Sequence, residues 1–584
     1  MTDVGAPVTH WLGKFERALA DGNATQLKRL FHTDSHWRDV LALSWHIDTF
    51  SGVDAIVDAL IVWARRAQPS RFAIDPDRAP PRAVMRAGTD AIEALFRFET
   101  VTGRCSGVLR LTPVDGAEPG AWTLLTALEE LKGHEEPIGR NKPHGGKAYS
   151  RDFRGPNWLD QRKSVEAFSD RDPAVLVVGG GQAGLAAAAR LSQLGLDTLI
   201  VDREQRIGDN WRKRYHALVL HNQVHVNHLP YMPFPPTWPA YIPKDKLASW
   251  FEAYVESLEL NFWTSTEFRG GRYDEKAGHW IVTLRRDGIE REMRPRHIVM
   301  GTGVSGIPNI PAIPTLDAFA GTVMHSSQYQ DGDAWAGKHA LVIGTGNSGH
   351  DIAQDLQSSG AHVTLVQRSS TLIVNVEPSA QLPYALYDEG PSLEDCDLIT
   401  TATPLALGRR SHQLLTAKAK QMDKPLLDGL ARIGFRLDDG DEGTGWQYKY
   451  LTRGGGYYFN VGCSDLLVEG KIGLAQFADI VRFETDGTAM RSGEKLKADL
   501  VVLATGYKGQ EQLVAKLFGQ QVADKVGPIW GFGNGQELRN MFMATPQPGL
   551  WFIAGSLAQC RIYSKYLALQ IKASELGLLP AVAA

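Results

Sequence analysis

Gly179-Gly180-Gly181-Gln182-Ala183-Gly184 stands between an apolar run, Ala174–Val178, and a helical run, Leu185–Leu194. A short apolar run of this kind suits a buried parallel strand. Glycines at this spacing permit a tight turn, let a pyrophosphate approach the backbone, and let the helix pack closely on the strand. The helix start then offers unpaired N–H groups and a partial positive charge to phosphate. A second strand, Thr198–Val201, ends at Asp202, whose carboxylate can accept hydrogen bonds from a ribose. The arrangement recurs: His339–Ile343 reads as a strand, Gly344-Thr345-Gly346-Asn347-Ser348-Gly349 as the turn, Asp351–Ser358 as the helix and Val363–Val366 as the next strand. That strand ends in Gln367-Arg368-Ser369. An arginine pairs with a 2′-phosphate that a carboxylate would repel, so the second turn is expected to prefer NADPH over NADH.

Two dinucleotide turns in one chain bring a flavin and a nicotinamide together, with the protein supplying position and the cofactors the redox chemistry. Asp202-Arg203 leads into Ile207-Gly208-Asp209-Asn210-Trp211, and in two-dinucleotide flavoproteins a comparable glycine turn with Trp lies along FAD. The expected flavin set is therefore Gly179, Gly181, Gln182, Ala183, Gly184, Asp202, Arg203, Gly208, Asn210 and Trp211, with Thr302 and Gly303. The expected nicotinamide set is Gly344, Gly346, Asn347, Ser348, Arg368 and Ser369. Ala504, Thr505 and Gly506 complete the cofactor-binding residues.

Phe319-Ala-Gly321-Thr-Val-Met-His325-Ser-Ser-Gln-Tyr329 fits FxGxxxHxxxY, and Ala504-Thr505-Gly506-Tyr507 fits an ATGY turn. Together with Met232-Pro233-Phe234-Pro235 and Gly346-Asn347-Ser348-Gly349, these motifs make Pro173–Leu579 resemble the class B flavin-dependent monooxygenases, YUCCA-like branch. The resemblance implies FAD and NADPH as cofactors, and O2 and a small organic molecule as the partners consumed. It also implies oxygen transfer through a flavin C4a-(hydro)peroxide, which demands exclusion of water and stray protons. His325 is implied to link the two cofactor domains without touching substrate. Related enzymes carry an asparagine near the flavin before the PFP turn. Asn222 falls in that segment and is the catalytic candidate, with Asn227 its competitor and a local turn duty the alternative. The fingerprint ends in Tyr329-Gln330, where Baeyer–Villiger enzymes place Trp followed by Pro or Asp. This favours heteroatom or carbon oxygenation. A Baeyer–Villiger enzyme, or an NADPH oxidase or flavin-bearing sensor without oxygenation, remains as the alternative.

The elements that must position these residues give an α/β chain: two Rossmann-type dinucleotide-binding domains, for FAD and NADPH, behind an N-terminal α+β cone-like domain. The expected boundaries are 1–135 for the N-terminal unit, 136–172 for a linker or strap, 173–315 and 473–584 for the two parts of the FAD domain, and 316–472 for the NADPH domain with an insertion. In the N-terminal unit, Trp11–Leu30 and Ala55–Ala67 have helical apolar spacing. Ala91–Val101, Ser106–Thr112 and Trp122–Leu131 read as strands. Element order and length resemble the NTF2-like, or SnoaL-like, fold. His36, Trp37 and Asp39 read as packing and a turn rather than a pocket. In the strap, which includes Gly145-Gly146, Trp158-Leu159 is expected to anchor on apolar surface. Lys495–Thr505 reads as a strand ending in a glycine turn. Val374–Gly462 carries Tyr384, Tyr387, Trp446, Tyr448 and Tyr450 before Gly454-Gly455-Gly456-Tyr457-Tyr458-Phe459. It fits a lid or substrate pocket and equally a core with a turn.

Over 584 residues, 43% are hydrophobic and 22% charged, the composition of ordinary globular domains. The net charge of −4 gives no basic surface for nucleic acid. The four cysteines, Cys105, Cys396, Cys463 and Cys560, form no CxxC pair, which disfavours a disulfide framework, a thiol relay and a cysteine zinc site; no metal is expected. No signal pattern or membrane-length apolar run is read, so a cytoplasmic protein without a membrane partner is expected, and a homodimer is compatible with the sequence.

Overall fold

The computed structural model describes residues 4–114, 117–145, 152–304, 306–533 and 535–579. The flavin-side turn sits in a five-stranded parallel sheet ordered Asn261–Trp263, Thr198–Val201, Val175–Val178, His297–Met300, Leu550–Phe552. Val175–Val178 is buried at all four positions, as a parallel strand covered on both faces must be. Helices Gln182–Gln193 and Leu557–Glu575 contact each other over this sheet. The alanine run Ala186–Ala189 lets that contact be close, and all four residues are buried.

The nicotinamide-side turn sits in a second five-stranded parallel sheet, ordered Thr322–His325, Leu500–Leu503, His339–Ile343, His362–Gln367, Gly473–Gln476. This pairing differs from the expected boundary at 473. Gly473–Gln476 and Leu500–Leu503 hydrogen-bond into the nicotinamide-side sheet, and Leu550–Phe552 is the C-terminal strand that returns to the flavin-side sheet. The segment Lys495–Thr505 also divides. Lys495–Lys497 joins a small antiparallel sheet, and Leu500–Leu503 forms a separate central strand.

Between Leu372–Asn375 and Tyr457–Asn460, two strands that pair in parallel, the chain makes a helical insertion. It contains helices Leu393–Thr401, Leu405–Met422, Lys424–Arg432 and Gly445–Arg453.

The N-terminal unit is a seven-stranded, mostly antiparallel sheet against helices Gly5–Ala20, Ala24–Lys28 and Val53–Ala67. Its interior is filled by rings: Trp11 stacks on Phe15 at 4.8 Å, and Phe72 on Phe98 at 4.7 Å. Trp11–Leu30 is two helices, broken at Gly22, where φ is +62°. His36, Trp37 and Asp39 lie on a strand, Phe31–Val40, rather than in a turn, and all three are buried. Strong alternation is missing there because the strand is covered on both faces near its end. In the strap, Trp158 and Leu159 are exposed, so the expected anchor is corrected: Trp158 bonds Glu259 through its indole N–H, and Phe168 is buried instead. Gly146 falls outside the described residues.

Candidate functional site

The two turns are near copies. Gly179 and Gly344 take φ of +105° and +117°, a region that side chains rarely adopt. A Cβ on Gly184 would lie 1.9 Å from the Gly179 carbonyl, and one on Gly349 would lie 2.0 Å from that of Gly344. Gly181 and Gly346 cap their helices with φ, ψ of −80°, −173° and −82°, −171°. In both, the helix N-terminus points its free N–H groups across the turn, ready for an anion.

On the flavin side, the Asp202 carboxylate accepts from the backbone N–H of Gly180 at 2.6 Å and of Glu204 at 2.9 Å, so it shapes the turn as well as closing the second strand. Each oxygen keeps a lone pair for a ribose hydroxyl. Ala183 is buried at the helix start. Gln182 donates to the Gly555 carbonyl at 3.1 Å and accepts from the Trp211 indole at 3.3 Å. Gly208, with φ of +86°, starts the short helix carrying Asn210 and Trp211, and the Asn210 amide lies 2.9 Å from where a Gly181 Cβ would project. Thr302 Oγ1 is buried without a partner, and the Gly303 carbonyl accepts from Gln510 at 2.7 Å. Arg203 stands apart from this cluster: its side chain is 78% exposed and faces Glu204.

On the nicotinamide side, Gly346 has open space in front of it, the nearest atom to an added Cβ being the Tyr457 carbonyl at 3.8 Å. Ser348 is half-buried in the first helical turn. Arg368 and Ser369 are exposed at the strand end. Arg436, a residue no motif marks, donates to the Arg368 carbonyl at 2.6 Å, so two arginines share this strand end. Arg436 comes from the insertion, 68 residues along the chain, where the sequence carries no periodic or motif signal for it.

The family-type motifs meet each other. His325 Nε2 donates to the Gly506 carbonyl at 3.1 Å, while its Nδ1 accepts from the Ser327 N–H. Burial holds this imidazole below its ordinary pKa, consistent with that neutral tautomer. Tyr329 hydroxyl donates to Asp355 at 2.6 Å, tying the fingerprint to the helix Asn347–Ser358. The Ala504 N–H continues the sheet to Ile343, and Thr505 hydroxyl donates to the Asn309 carbonyl at 2.6 Å.

A cluster of rings lies between the nicotinamide-side turn and the start of the flavin-side helix Leu557–Glu575. Asn347 accepts from the Phe459 N–H at 3.0 Å, so the nicotinamide turn holds the strand Tyr457–Asn460 directly. Tyr450 hydroxyl donates to Gln559 at 2.8 Å and lies 3.1 Å from a Cβ built on Gly555, on the flavin side. Trp446, Tyr457 and Phe459 form the core of this cluster, and Tyr384 and Tyr450 pack on it. Asn222 reaches the cluster: its amide donates to Tyr384 hydroxyl at 3.0 Å. Asn227 donates to the Asn222 carbonyl at 2.9 Å, so it holds the loop while Asn222 presents its side chain. Burial pushes neighbouring His221 down to about 4 and Tyr384 up to about 12. Neither supplies a proton readily at neutral pH. Of the other aromatics in the insertion, Tyr387 instead bonds Asp397, and Tyr448 stacks on Phe532.

All four cysteines are buried and free. Among the described residues no cluster of metal-ligating side chains occurs, and no helix is long and apolar enough to cross a membrane.

Two parallel sheets with paired glycine turns and an aromatic wall between them define a two-dinucleotide oxidoreductase. Residues 176–386 match the family model described as pyridine nucleotide-disulphide oxidoreductase. The chain is 31% identical over 352 residues to the indole-3-pyruvate monooxygenase YUCCA1 of Oryza sativa subsp. japonica, covering 60% of this chain and 80% of the relative. It is also 31% identical to the probable indole-3-pyruvate monooxygenase YUCCA4 of Arabidopsis thaliana, covering 58% and 76%. Among solved structures, cyclohexanone monooxygenase from Rhodococcus sp. Phi1 bound to NADP+ superposes with a TM-score of 0.51 at 18% identity, covering 70% of this chain and 85% of that one. That last likeness shows the shared fold. The chain belongs to the class B flavin monooxygenases related to the YUCCA enzymes. It is an FAD- and NADPH-dependent monooxygenase of a small organic substrate.

Proposed function

We propose that this chain oxygenates a heteroatom or an activated carbon, with the flavin edge at Asn222 and the nicotinamide delivered past Asn347. The observation that carries this reading is the aromatic cluster bonded to the nicotinamide-side turn through Asn347–Phe459 and to the flavin-side helix Leu557–Glu575 through Tyr450–Gln559. When bound, FAD and NADPH supply hydride transfer and oxygen activation. The chain's own part is to bind, align and keep water out. Gly179, Gly181 and Gly184 leave a cradle that a side chain would fill, and the partnerless Thr302 hydroxyl beside it fits a polar cofactor. Asp202 takes the ribose of FAD, and Trp211 with Gln182 orders the surface along it. Arg368 and Arg436 hold the 2′-phosphate of NADPH; two exposed guanidiniums at one strand end suit that dianion. His325 and Tyr329 time the relative movement of the two cofactor domains through Gly506 and Asp355. Neutral His221, hydroxyl-bonded Asn222 and the rings around them keep stray protons from the reacting centre.

The domain limits offered are 173–315 and 506–579 for FAD and 316–505 for NADPH, following strand pairing. The N-terminal unit is an NTF2-like fold recruited as a brace, supported by its element order and ring-filled interior.

NADPH-driven turnover of methyl phenyl sulfide beside cyclohexanone tests the reading. Sulfoxide without lactone is expected, and lactone as the main product moves the enzyme to the ketone-to-ester class. Asn222→Asp is expected to raise the hydrogen peroxide released per NADPH several-fold while flavin reduction persists. An unchanged peroxide yield removes Asn222 from the site.

A further inference from the structure

Asn222 sits inside a closed circuit of hydrogen bonds. On one side the short helical stretch Ser379–Asp388 of the insertion holds it. Gln381 donates to the His221 carbonyl at 2.9 Å, and Tyr384 hydroxyl accepts from the Asn222 amide at 3.0 Å. On the other side, Asn227 donates to the Asn222 carbonyl at 2.9 Å. The carbonyls that flank Asn227, those of Val226 and His228, both accept from Arg561 Nη1, at 2.7 and 2.8 Å. The opposite edge of the same guanidinium meets Asp397 as a fork, Nε and Nη2 donating to its two oxygens at 2.8 and 2.7 Å. Tyr387 hydroxyl donates to Asp397 at 2.8 Å, and Tyr387 belongs to Ser379–Asp388, where the circuit began.

Arg561 and Asn227 are only 4% and 1% exposed. A guanidinium so buried must have its donors filled, and these four hydrogen bonds fill them. Its planar fork serves a carboxylate on one edge and two carbonyls on another, a geometry that a lysine ammonium does not reproduce. Asp397 thus sets the plane of Arg561, and that plane sets the two loop carbonyls. Removing either charge strands the other away from water, so the pair resists being opened. Asp397 comes from helix Leu393–Thr401, and Arg38 and Arg110 of the N-terminal unit grip the C-terminal end of that helix through the carbonyls of Thr401, Ile399 and Ala402. One helix and one ion pair therefore join the N-terminal unit to the loop that carries Asn222.

We propose that Arg561, oriented by Asp397, is a positioning residue for Asn222: it fixes the loop 222–228 through its backbone and so holds the Asn222 amide at the flavin edge. The proposal rests on the reading of Asn222 as the flavin-edge residue. It also gives the N-terminal unit a part in the reaction, as the anchor of the helix that carries Asp397.

The test uses two variants of the FAD-loaded enzyme. Asp397→Asn keeps the shape and removes the charge that orients Arg561, while Arg561→Lys keeps the charge and loses the fork. With NADPH and air but no organic substrate, each is expected to release hydrogen peroxide several-fold faster than wild type, with no matching change in KM for NADPH. Adding Asp397→Asn to Asn222→Asp is expected to leave the rate of Asn222→Asp where it was, because both changes act at one residue. Deuterium exchange supplies a readout apart from turnover. The Val224 and Asn227 amides, bonded to the carbonyls of Ala240 and Val224, are expected to exchange about tenfold faster in Asp397→Asn. Amides of the distant strand His339–Ile343 are expected to keep their wild-type exchange, which reports an intact fold. Wild-type peroxide release in Asp397→Asn, full additivity with Asn222→Asp, or unaltered loop exchange overturns the proposal. A failure of the underlying reading shows differently: Asn222→Asp alone then leaves peroxide release unchanged while the loop of Asp397→Asn still exchanges faster, which reduces Arg561 to a loop clamp with no part in the reaction.

Discussion

At the scale of single residues, the proposed function assigns the choice of nicotinamide cofactor to the end of a strand. Asp202 and Arg368 follow equivalent second strands of the two sheets, and on the proposed reading the first takes a ribose hydroxyl and the second a 2′-phosphate. Arg368→Ala is expected to raise KM for NADPH about tenfold or more while that for NADH moves little, since roughly 1.4 kcal/mol accompanies each tenfold change. Steady-state kinetics with both nucleotides measure this, and equal rises would remove the phosphate contact. Arg436→Ala should move the same ratio in the same direction, because it shares the strand end.

At the scale of elements, the helix Asn347–Ser358 carries a buried imidazole just past the nicotinamide turn. His350 stacks on Tyr458 at 4.0 Å and donates from Nδ1 to the Gly346 carbonyl, while its Nε2 is buried without a partner. Burial pushes it down to about 4 from an ordinary 6.5. The unfolded chain then binds the extra proton, so this group's contribution is fully present above about 6.5 and is lost as pH falls towards 4. Asp351 on the same turn is raised to about 7 by burial and acts in the opposite sense, gaining stability as pH falls from about 7. His350→Phe keeps the ring stack and removes the titration. Its melting temperature, taken relative to wild type, is expected to climb as pH drops from 6.5 to 4. Parallel melting curves for the two proteins would contradict this.

These elements also show where the sequence was informative. Both glycine turns, their flanking strands and the strand-end charges are local patterns, fixed by neighbours within about thirty residues, and they were legible. The His325–Gly506 contact joins two motifs 181 positions apart, which motif spacing alone does not bring together. Arg436 lies in the loop after helix Lys424–Arg432 and meets a strand end 68 positions earlier, and nothing periodic announces it. The strands Phe31–Val40, Gly473–Gln476 and Arg82–Arg86 were missed or misassigned because burial on both faces, or on neither, erases the alternation that identifies a strand.

At the scale of the whole molecule, the N-terminal unit grips the insertion and the flavin side at once. Arg38 is buried and makes a two-pronged pair with Glu537 at 2.7 and 2.6 Å. It also donates to the Thr401 carbonyl at 2.7 Å, and Arg110 donates to those of Ile399 and Ala402. These are the last carbonyls of helix Leu393–Thr401, which is where cations stabilise a helix. Arg78 adds a pair with Asp395 at 2.9 Å. Arg38→Met strands Glu537 and is expected to cost about 3 kcal/mol or more by thermal or chemical unfolding, whereas the double change Arg38→Met, Glu537→Leu costs far less. Equal losses in the two variants would show that the pair does not brace the unit.

The claim on which all three scales depend is that both turns serve one reaction centre. Anaerobic rapid mixing of the FAD-loaded enzyme with NADPH tests it most directly. The oxidised flavin band is expected to bleach in a single fast phase, with NADH slower and with Gly181→Val purifying without flavin. A yellow protein that NADPH leaves unbleached would contradict the account.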